Sequence, residues 1–566
     1  MKFDDVLGYL GDFGVYQKRI YFMVCLIAIP CSIHQLAQVF LAAETDHWCS
    51  VAQLDGIVCP ESWNLTSEQC ENAKRTSMIP PKDDDSDADN DEHHCYRYKN
   101  ATGESFLAGE VPSPSWPLEA CHSWEYDTTQ YKTTIIHEWD LVCSDKSKPA
   151  LSQSIFFGGV LFGSAVFGSL ADWFSNTEYV PALPNCLVLE EPALGWCYDS
   201  YNRHWTEATS DESLKLCHIW TDPGTEFVGP SRRTFAGIAI EFFWAFGYMA
   251  FAGIAYFIRK WRILAIVISV PSLVFFAYYP FIPESVRWLL SQGKVKEAER
   301  IIKKAAKVNK VTLPENIFDE KYLKQENVED APKRGTVIDL FRTPNMCKKT
   351  LNLLFNWFVN SMVYYGLSLS TSDLGVDDYI AFFVSGAIEI PAYVLSIFFI
   401  DYWGRRLNLC GTLVLGGVAC LLTILTPIGV ARTTVAMIGK FGVTASFAIV
   451  YIYSAEIYPT PVRSVGMGLS SVAARVGGIL SPFILEIESL WKHLPLVIFG
   501  CSSIAAGLLA LFLPETNGKQ LPESLAEGEN FGKENSNSKI ATPLDVNIEV
   551  KSGEENPGYD KADDKV

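Results

Sequence analysis

The sequence predicts an all-α polytopic membrane protein built as two helical bundles. Three observations predict it. Apolar residues, 49% of the 566, are gathered into blocks. Residues 150–170 and 263–283 each run without a single charge, and about 20 apolar residues cross ~30 Å of hydrocarbon as a helix. The charges fall in the polar stretches between the blocks. The same composition excludes a disordered chain, a coiled coil and a nucleic-acid binder. It is too apolar for the first, lacks heptads for the second, and at net −19 is too acidic for the third.

Each element follows in order. Residues 1–19 are polar and charged, and form a cytoplasmic N-terminus. The apolar stretch after them, 20–43, is too long for the core of a cleavable signal and reads as the first span. Residues 44–148 form a long polar loop with 8 basic and 21 acidic residues. It holds Cys49, Cys59, Cys70, Cys95, Cys121 and Cys143, a set that suits three disulfides in an extracellular domain, with about 15 connectivities open. Asn64-Leu65-Thr66 and Asn100-Ala101-Thr102 are glycosylation acceptors, coherent with that exterior reading. The acidic run 83–92 followed by His93 and His94 reads as a solvated loop tip in preference to a cation site.

Residues 149–282 complete the first bundle, with spans near 150–170, 235–257 and 263–283. Residues 283–349 carry 15 basic and 10 acidic residues, with Lys303, Lys304, Lys307 and Lys310 clustered among them. Loops rich in Lys and Arg stay cytoplasmic, so this linker is inside and the 44–148 loop, an odd number of spans away, is outside. Within the linker, 295–307 reads as a basic amphipathic helix lying on the inner membrane surface. Spans near 351–370, 379–400, 407–428, 434–453, 464–486 and 492–513 form the second bundle, 350–513, and 514–566 is a cytoplasmic tail. That makes ten spans.

Two bundles joined by a cytoplasmic linker are the layout of major facilitator transporters. A motif supports it: Asp401-Tyr402-Trp403-Gly404-Arg405-Arg406 is similar to the inner-gate signature of that superfamily. Gly404 permits a tight turn, and Asp401, Arg405 and Arg406 can pair with a neighbouring helix end. Arginines alone would be ordinary inside anchors; the spaced Asp and Gly would not. The first half begins the same element at Gly168 and reaches Asp172-Trp173-Phe174, then continues Ser175-Asn176-Thr177 where Gly-Arg-Arg was due.

Further segments make the resemblance specific. They are Trp124-Glu125-Tyr126-Asp127, Glu138-Trp139-Asp140-Leu141-Val142-Cys143, Ala245-Phe246-Gly247-Tyr248-Met249, Pro283-Glu284-Ser285-Val286-Arg287, Tyr364-Tyr365-Gly366-Leu367-Ser368, Glu456-Ile457-Tyr458-Pro459-Thr460-Pro461-Val462-Arg463 and Leu513-Pro514-Glu515-Thr516. Over roughly 1–174 and 224–525 the chain resembles solute carrier family 22, and within it the organic cation/carnitine branch. The resemblance implies a major facilitator fold of two six-helix bundles, a plasma-membrane location, alternating access, and gating roles for Asp172, Asp401, Gly404, Arg405, Arg406, Glu456 and Arg463.

Residues 175–223 depart from that pattern. The third and fourth spans should lie there, and the sequence is polar throughout. Its length nevertheless fits two spans with short connections, and the family pattern resumes at Gly224. A length-preserving loss of apolar character is what a frame-shifted reading of the gene produces. An alternative isoform and a true polar insert are the other readings. A ten-span form lacks one wall of the substrate path, so little or no transport is expected of it.

Charges inside spans are costly and mark function. Arg475, Glu389 and Lys440 are the three that stand out. The bland alternatives are a salt bridge of Arg475 with Glu456 or another acid, a structural contact of Glu389, and snorkelling of Lys440. In the family, the position of Arg475 resembles an acid in cation-selective members and arginine in anion and carnitine transporters. A guanidinium can grip a carboxylate with two hydrogen bonds. Aromatic rings suit a cationic end. Trp244, Phe246 and Tyr248 lie in one span, and Trp357, Tyr364 and Tyr365 in another. Arginine plus aromatics describes a receptor for a small organic zwitterion such as carnitine or a related amine or amino-acid derivative. Glu389 and Glu456 could couple Na⁺ or H⁺; no other cofactor is called for. The expected partners are a small organic zwitterion, cation or anion and the lipid bilayer, with no nucleic acid. The rival readings are an organic anion transporter and a non-transporting isoform. No nucleophile–base constellation argues for an enzyme.

Overall fold

Where the sequence is apolar the chain is helical, because only a helix satisfies its own backbone in hydrocarbon. A computed structural model describes residues 3–11, 13–50, 59, 66, 69–70, 73–74, 95–99, 106–107, 116–174, 233–271, 274, 283, 286–291, 294–313, 336–519 and 521–533. Asn64, Asn100, the 83–94 run, the polar segment 175–223 and the side chain of Asp172 lie outside the described residues.

The first half begins with helix α1 (Phe3–Leu10), α2 (Val15–Leu36) and its short continuation α3 (Gln38–Leu41). A small domain follows. Strand β1 (His47–Cys49) pairs antiparallel with β4 (Trp124–Tyr126), and β2 (Tyr96–Tyr98) with β3 (Leu118–Ala120). Disulfides Cys49–Cys121, Cys59–Cys70 and Cys95–Cys143 staple it. The turn of helix α4 (Ile135–Trp139) leads to the long helices α5 (Lys148–Phe174) and α6 (Arg233–Phe257), then α7 (Trp261–Ser269). Helices α8 (Val286–Ser291), α9 (Val295–Asn309) and α10 (Val337–Arg342) belong to the linker.

The second half comprises α11 (Pro344–Leu369), α12 (Asp378–Ala387), α13 (Glu389–Trp403), α14 (Arg405–Leu425), α15 (Val430–Ile457), α16 (Arg463–Glu486) and α17 (Leu494–Ala510), and ends in α18 (Leu525–Asn530). Helices thus occupy all ten apolar blocks, the 263–283 block being described only in part. Six helical stretches among the described residues, including Val15–Leu41, Phe235–Phe257 and Asp378–Trp403, are long and apolar enough to cross a membrane.

Exposure is inverted relative to a water-soluble bundle. Phe162, Phe246, Phe398 and Phe512 face outward, while Asn356, Asn360, Glu389 and Lys440 are buried. That is how a helical bundle meets lipid. Small residues let the helices approach. A Cβ on Gly477 of α16 would meet the Phe358 carbonyl oxygen of α11 at 2.2 Å, so only glycine allows this crossing.

One expectation is corrected. Helix α9 does not lay its apolar face on the membrane. Ala298, Ile302, Ala305 and Ala306 are buried in a cluster with Val6, Leu7 and Leu10 of α1 and Tyr16, Ile20 and Val24 of α2. Asn309 at its end accepts from the Tyr16 N–H at 2.8 Å and donates to the Leu10 carbonyl at 3.0 Å. Packing on protein competes better than packing on headgroups. Within 1–19, helix α1 is part of the same cluster, with Val6 and Leu7 at 1% exposure or less.

Candidate functional site

Polar side chains converge where α6 of the first half meets α11, α12, α13 and α15 of the second. Trp244 and Tyr248, four apart, share one face of α6. Trp244 donates from Nε1 to the Tyr364 hydroxyl at 2.8 Å, and the Tyr248 hydroxyl donates to Ser385 Oγ at 3.0 Å. Phe246 points the other way, as two steps of 100° require, and is 55% exposed. It therefore leaves the group of candidate substrate aromatics.

Glu389 is placed by a break. Pro391 has no N–H for the carbonyl four residues back, at Ala387, and α12 ends there. Glu389 then sits in the first turn of α13, where the positive end of the helix dipole favours an anion. Its carboxylate accepts from Tyr364 at 2.7 Å and from Tyr393 at 3.4 Å, and pairs with Lys440 Nζ at 3.3 Å. Lys440 also donates to Ser368 Oγ and lies 3.4 Å from the centroid of the Tyr364 ring. Snorkelling is thus the wrong account of Lys440: at 1% exposure its head is held inside the bundle.

Tyr365 faces the neighbouring wall. Its hydroxyl donates to the Gln35 side-chain oxygen of α2, and its ring packs 4.6 Å from Phe157 of α5. Arg475 on α16 is half-buried and donates to the Ser471 hydroxyl and, at 3.1 Å, to the Ser471 carbonyl. It does not pair with Glu456, which takes Arg405 at 3.0 Å and the Thr516 hydroxyl instead. Trp357 is buried lower on α11, donating to Ser454 Oγ at 2.9 Å, and packs with Phe447, which also touches Tyr364.

The gate motif is built differently from its sequence reading. Gly404 has φ +79°, a conformation natural only to glycine, so the chain turns sharply from α13 into α14. The backbone N–H groups of Arg405 and Arg406 donate to the Glu515 carboxylate at 2.9 and 3.0 Å. Asp401 is read in the sequence as pairing, together with the arginines, with a neighbouring helix end. Its side chain is exposed and makes no ion pair among the described residues; Glu515 takes the role from the Leu-Pro-Glu-Thr segment. Arg463 donates to the Tyr458 carbonyl at 3.2 Å, holding the turn before α16.

Sequence reading missed Ser368, Ser385, Tyr393 and Gln35, whose polar groups complete the cluster. Single hydroxyls in apolar spans give no pattern to find. It also missed Glu241 on α6, which lies beside Tyr393. Here a signal existed: 241, 244 and 248 follow the i, i+3, i+7 spacing of one helical face.

Comparison with known proteins places this architecture. Residues 226–526 match the sugar (and other) transporter family. The chain is 42% identical over 551 residues to an organic cation transporter protein of Drosophila melanogaster, covering 94% of this chain and 95% of that one. It is 36% identical to organic cation/carnitine transporter 2 of Homo sapiens (92% and 93% covered) and 34% identical to a beta-alanine transporter of Drosophila melanogaster (94% and 89% covered). Among solved structures, the partially occluded inward-open xylose transporter of E. coli superposes with a TM-score of 0.54 at 15% identity, over 89% of this chain and all of that one. That likeness shows the major facilitator fold. Helices, gate turn and relatives agree, and the chain belongs to solute carrier family 22: it is a multi-pass membrane transporter of the organic cation/carnitine type and not an enzyme.

Proposed function

We propose that the protein moves small organic zwitterions, carnitine-like or β-amino-acid-like, across the plasma membrane by alternating access. The observation that carries this reading is the pairing of chemistries at the bundle interface. Arg475 offers a guanidinium to a carboxylate. The rings of Trp244 and Tyr365 offer π faces to an amine, while Tyr248 and Tyr364 surround Lys440 beside the Glu389 carboxylate. Relatives named as carnitine and beta-alanine transporters support the same class. In this orientation the disulfide-bonded domain is outside, and the linker and both termini are inside. The charge counts of the two loops support it.

Rocking of the two halves about the interface exposes the site to each side in turn. A substrate drives occlusion only through different affinity for the two states. Glu389 is the residue we assign to coupling with Na⁺ or H⁺. Glu456, which pairs with Arg405 at 3.0 Å and accepts from the Thr516 hydroxyl, is assigned to the gate.

The test is uptake of labelled L-carnitine, β-alanine, tetraethylammonium and p-aminohippurate into cells expressing the chain. Carnitine or β-alanine uptake, abolished by Arg475→Asp, supports the zwitterion reading. The presence of two cations in the spans, Arg475 and Lys440, favours a second reading, the organic anion transporter. That reading predicts p-aminohippurate uptake, also lost in Arg475→Asp, with no response to carnitine.

A further inference from the structure

Glu241 has no role in the account so far. It lies eight residues into α6, about 12 Å from the helix end at 1.5 Å per residue. It shares a face with Trp244 and Tyr248, both of which reach residues of the second half. Unlike Tyr248, which is fully buried, Glu241 keeps partial access. The carboxyl is thus partly accessible on the face of α6 that meets the second half. Tyr393 donates to Glu389 at 3.4 Å and also lies beside Glu241, and so stands between the two acids. Tyr21 and Tyr365 lie within electrostatic reach of Glu241.

Charge arithmetic then distinguishes the two acids. Lys440 neutralises Glu389 at 3.3 Å. No cation is paired with Glu241 among the described residues. An acid in a span without a cation is costly, and ligands are the natural counter-ions of such groups. Among the described residues the interface includes Glu241 and Glu389 beside Lys440 and Arg475, two acids and two bases. A ligand that is itself neutral overall, with separated charges, leaves that balance intact.

We propose that Glu241, framed by tyrosine rings, holds the ammonium group of the substrate while Arg475 takes its carboxylate. This assignment rests on the zwitterion reading above and adds the residue that reads the cationic end. It makes Glu241 a determinant of charge selectivity, with Glu389, paired to Lys440, beside it.

The experiment is equilibrium binding to the full-length chain in lipid nanodiscs, which does not require a complete transport cycle. Three labelled probes are used: L-carnitine, tetramethylammonium, and the carnitine analogue in which carbon replaces the quaternary nitrogen. Glu241→Gln should weaken carnitine and tetramethylammonium by about tenfold to a hundredfold and leave the uncharged-head analogue unchanged. Arg475→Gln should do the reverse for the two carboxylates and spare tetramethylammonium. Glu241→Asp, which keeps the charge, should recover most of the affinity and show that the fold is intact. Equal affinity of Glu241→Gln and the parent for both cations overturns the assignment alone. So does a variant that changes only the pH dependence of binding, which would make Glu241 a proton site. A parent that binds none of the probes overturns the zwitterion reading, and the assignment with it.

Discussion

Lys440 and Glu389 show how a membrane interior treats charge. Each is at or below 1% exposure, and their contact is 3.3 Å. Removing one partner strands the other without water. Lys440→Gln should therefore cost about 3–5 kcal/mol of stability, and the double variant with Glu389→Gln should recover part of it. Chemical denaturation of the four proteins in one detergent checks the cycle. His137 makes the opposite case, outside the spans. Its Nε2 lies 2.7 Å from the Thr45 hydroxyl and its ring stacks on Tyr126 at 4.5 Å. Burial holds its pKa below the usual 6.5, with Asp127 pulling weakly the other way. The folded domain thus binds this proton less well than the unfolded chain. His137 leaves stability undiminished above about pH 6.5, and that stability falls as pH drops from there through the lowered folded value. Amide protection factors across 124–142, taken relative to the intrinsic exchange rate at each pH, should fall on acidification in the parent and much less in His137→Gln.

At the scale of elements, one turn and one short helix carry more than their length suggests. Gly404→Ala forces φ +79° on a residue with a Cβ, and that atom would stand 2.7 Å from the Glu515 carboxyl carbon. The expected cost is more than ~1 kcal/mol, with the Arg405 and Arg406 N–H contacts to Glu515 lost together; a lowered melting temperature in detergent checks it. Helix α18 docks on the start of α11. The Glu529 carboxylate caps that helix by accepting from Asn345 and Met346 N–H groups at 3.0 and 2.9 Å. Lys349 returns the contact, donating to the Gly528 and Phe531 carbonyls at 2.7 and 2.6 Å. Glu529→Gln should weaken the dock by about 1 kcal/mol, read as faster amide exchange at both 345–349 and 525–531. The helices themselves were legible in the sequence, since a charge-free block has few other solutions. The break at Ile388 was not read, although Pro391 announced it. The dock of α18 could not be read, because a six-residue helix of mixed polarity has no periodic signature.

For the whole molecule, the two-bundle plan was visible in the loop charges and the Asp401–Arg406 motif, while the contacts between bundles were not. Arg475, Glu389, Lys440, Tyr364 and Tyr365 were found because charge and aromaticity are conspicuous in apolar sequence. Which of them touch depends on helix rotation, which composition does not encode. The polar segment 175–223 bears on the activity of the chain directly. Sequencing full-length cDNA through codons 170–230 should reveal Gly-Arg-Arg and two apolar spans after Phe174 if the frame-shift reading holds. A transcript that encodes the polar segment instead predicts surface delivery without uptake. One feature of the small domain reaches further. Gln130 Nε2 and the Tyr131 hydroxyl both donate to the Asp378 carboxylate of α12, at 3.1 and 2.8 Å. Beneath them Phe40, Tyr379 and Phe382 close the gap between the halves, with Phe40 and Phe382 4.8 Å apart. The domain is tied to the entry of α5 through Cys143 and so travels with the first half. It is a strap across a closed mouth. Pharmacology follows from that: a protein ligand gripping the domain at 130–131 would slow every substrate alike, lowering maximal flux without competing for the pocket.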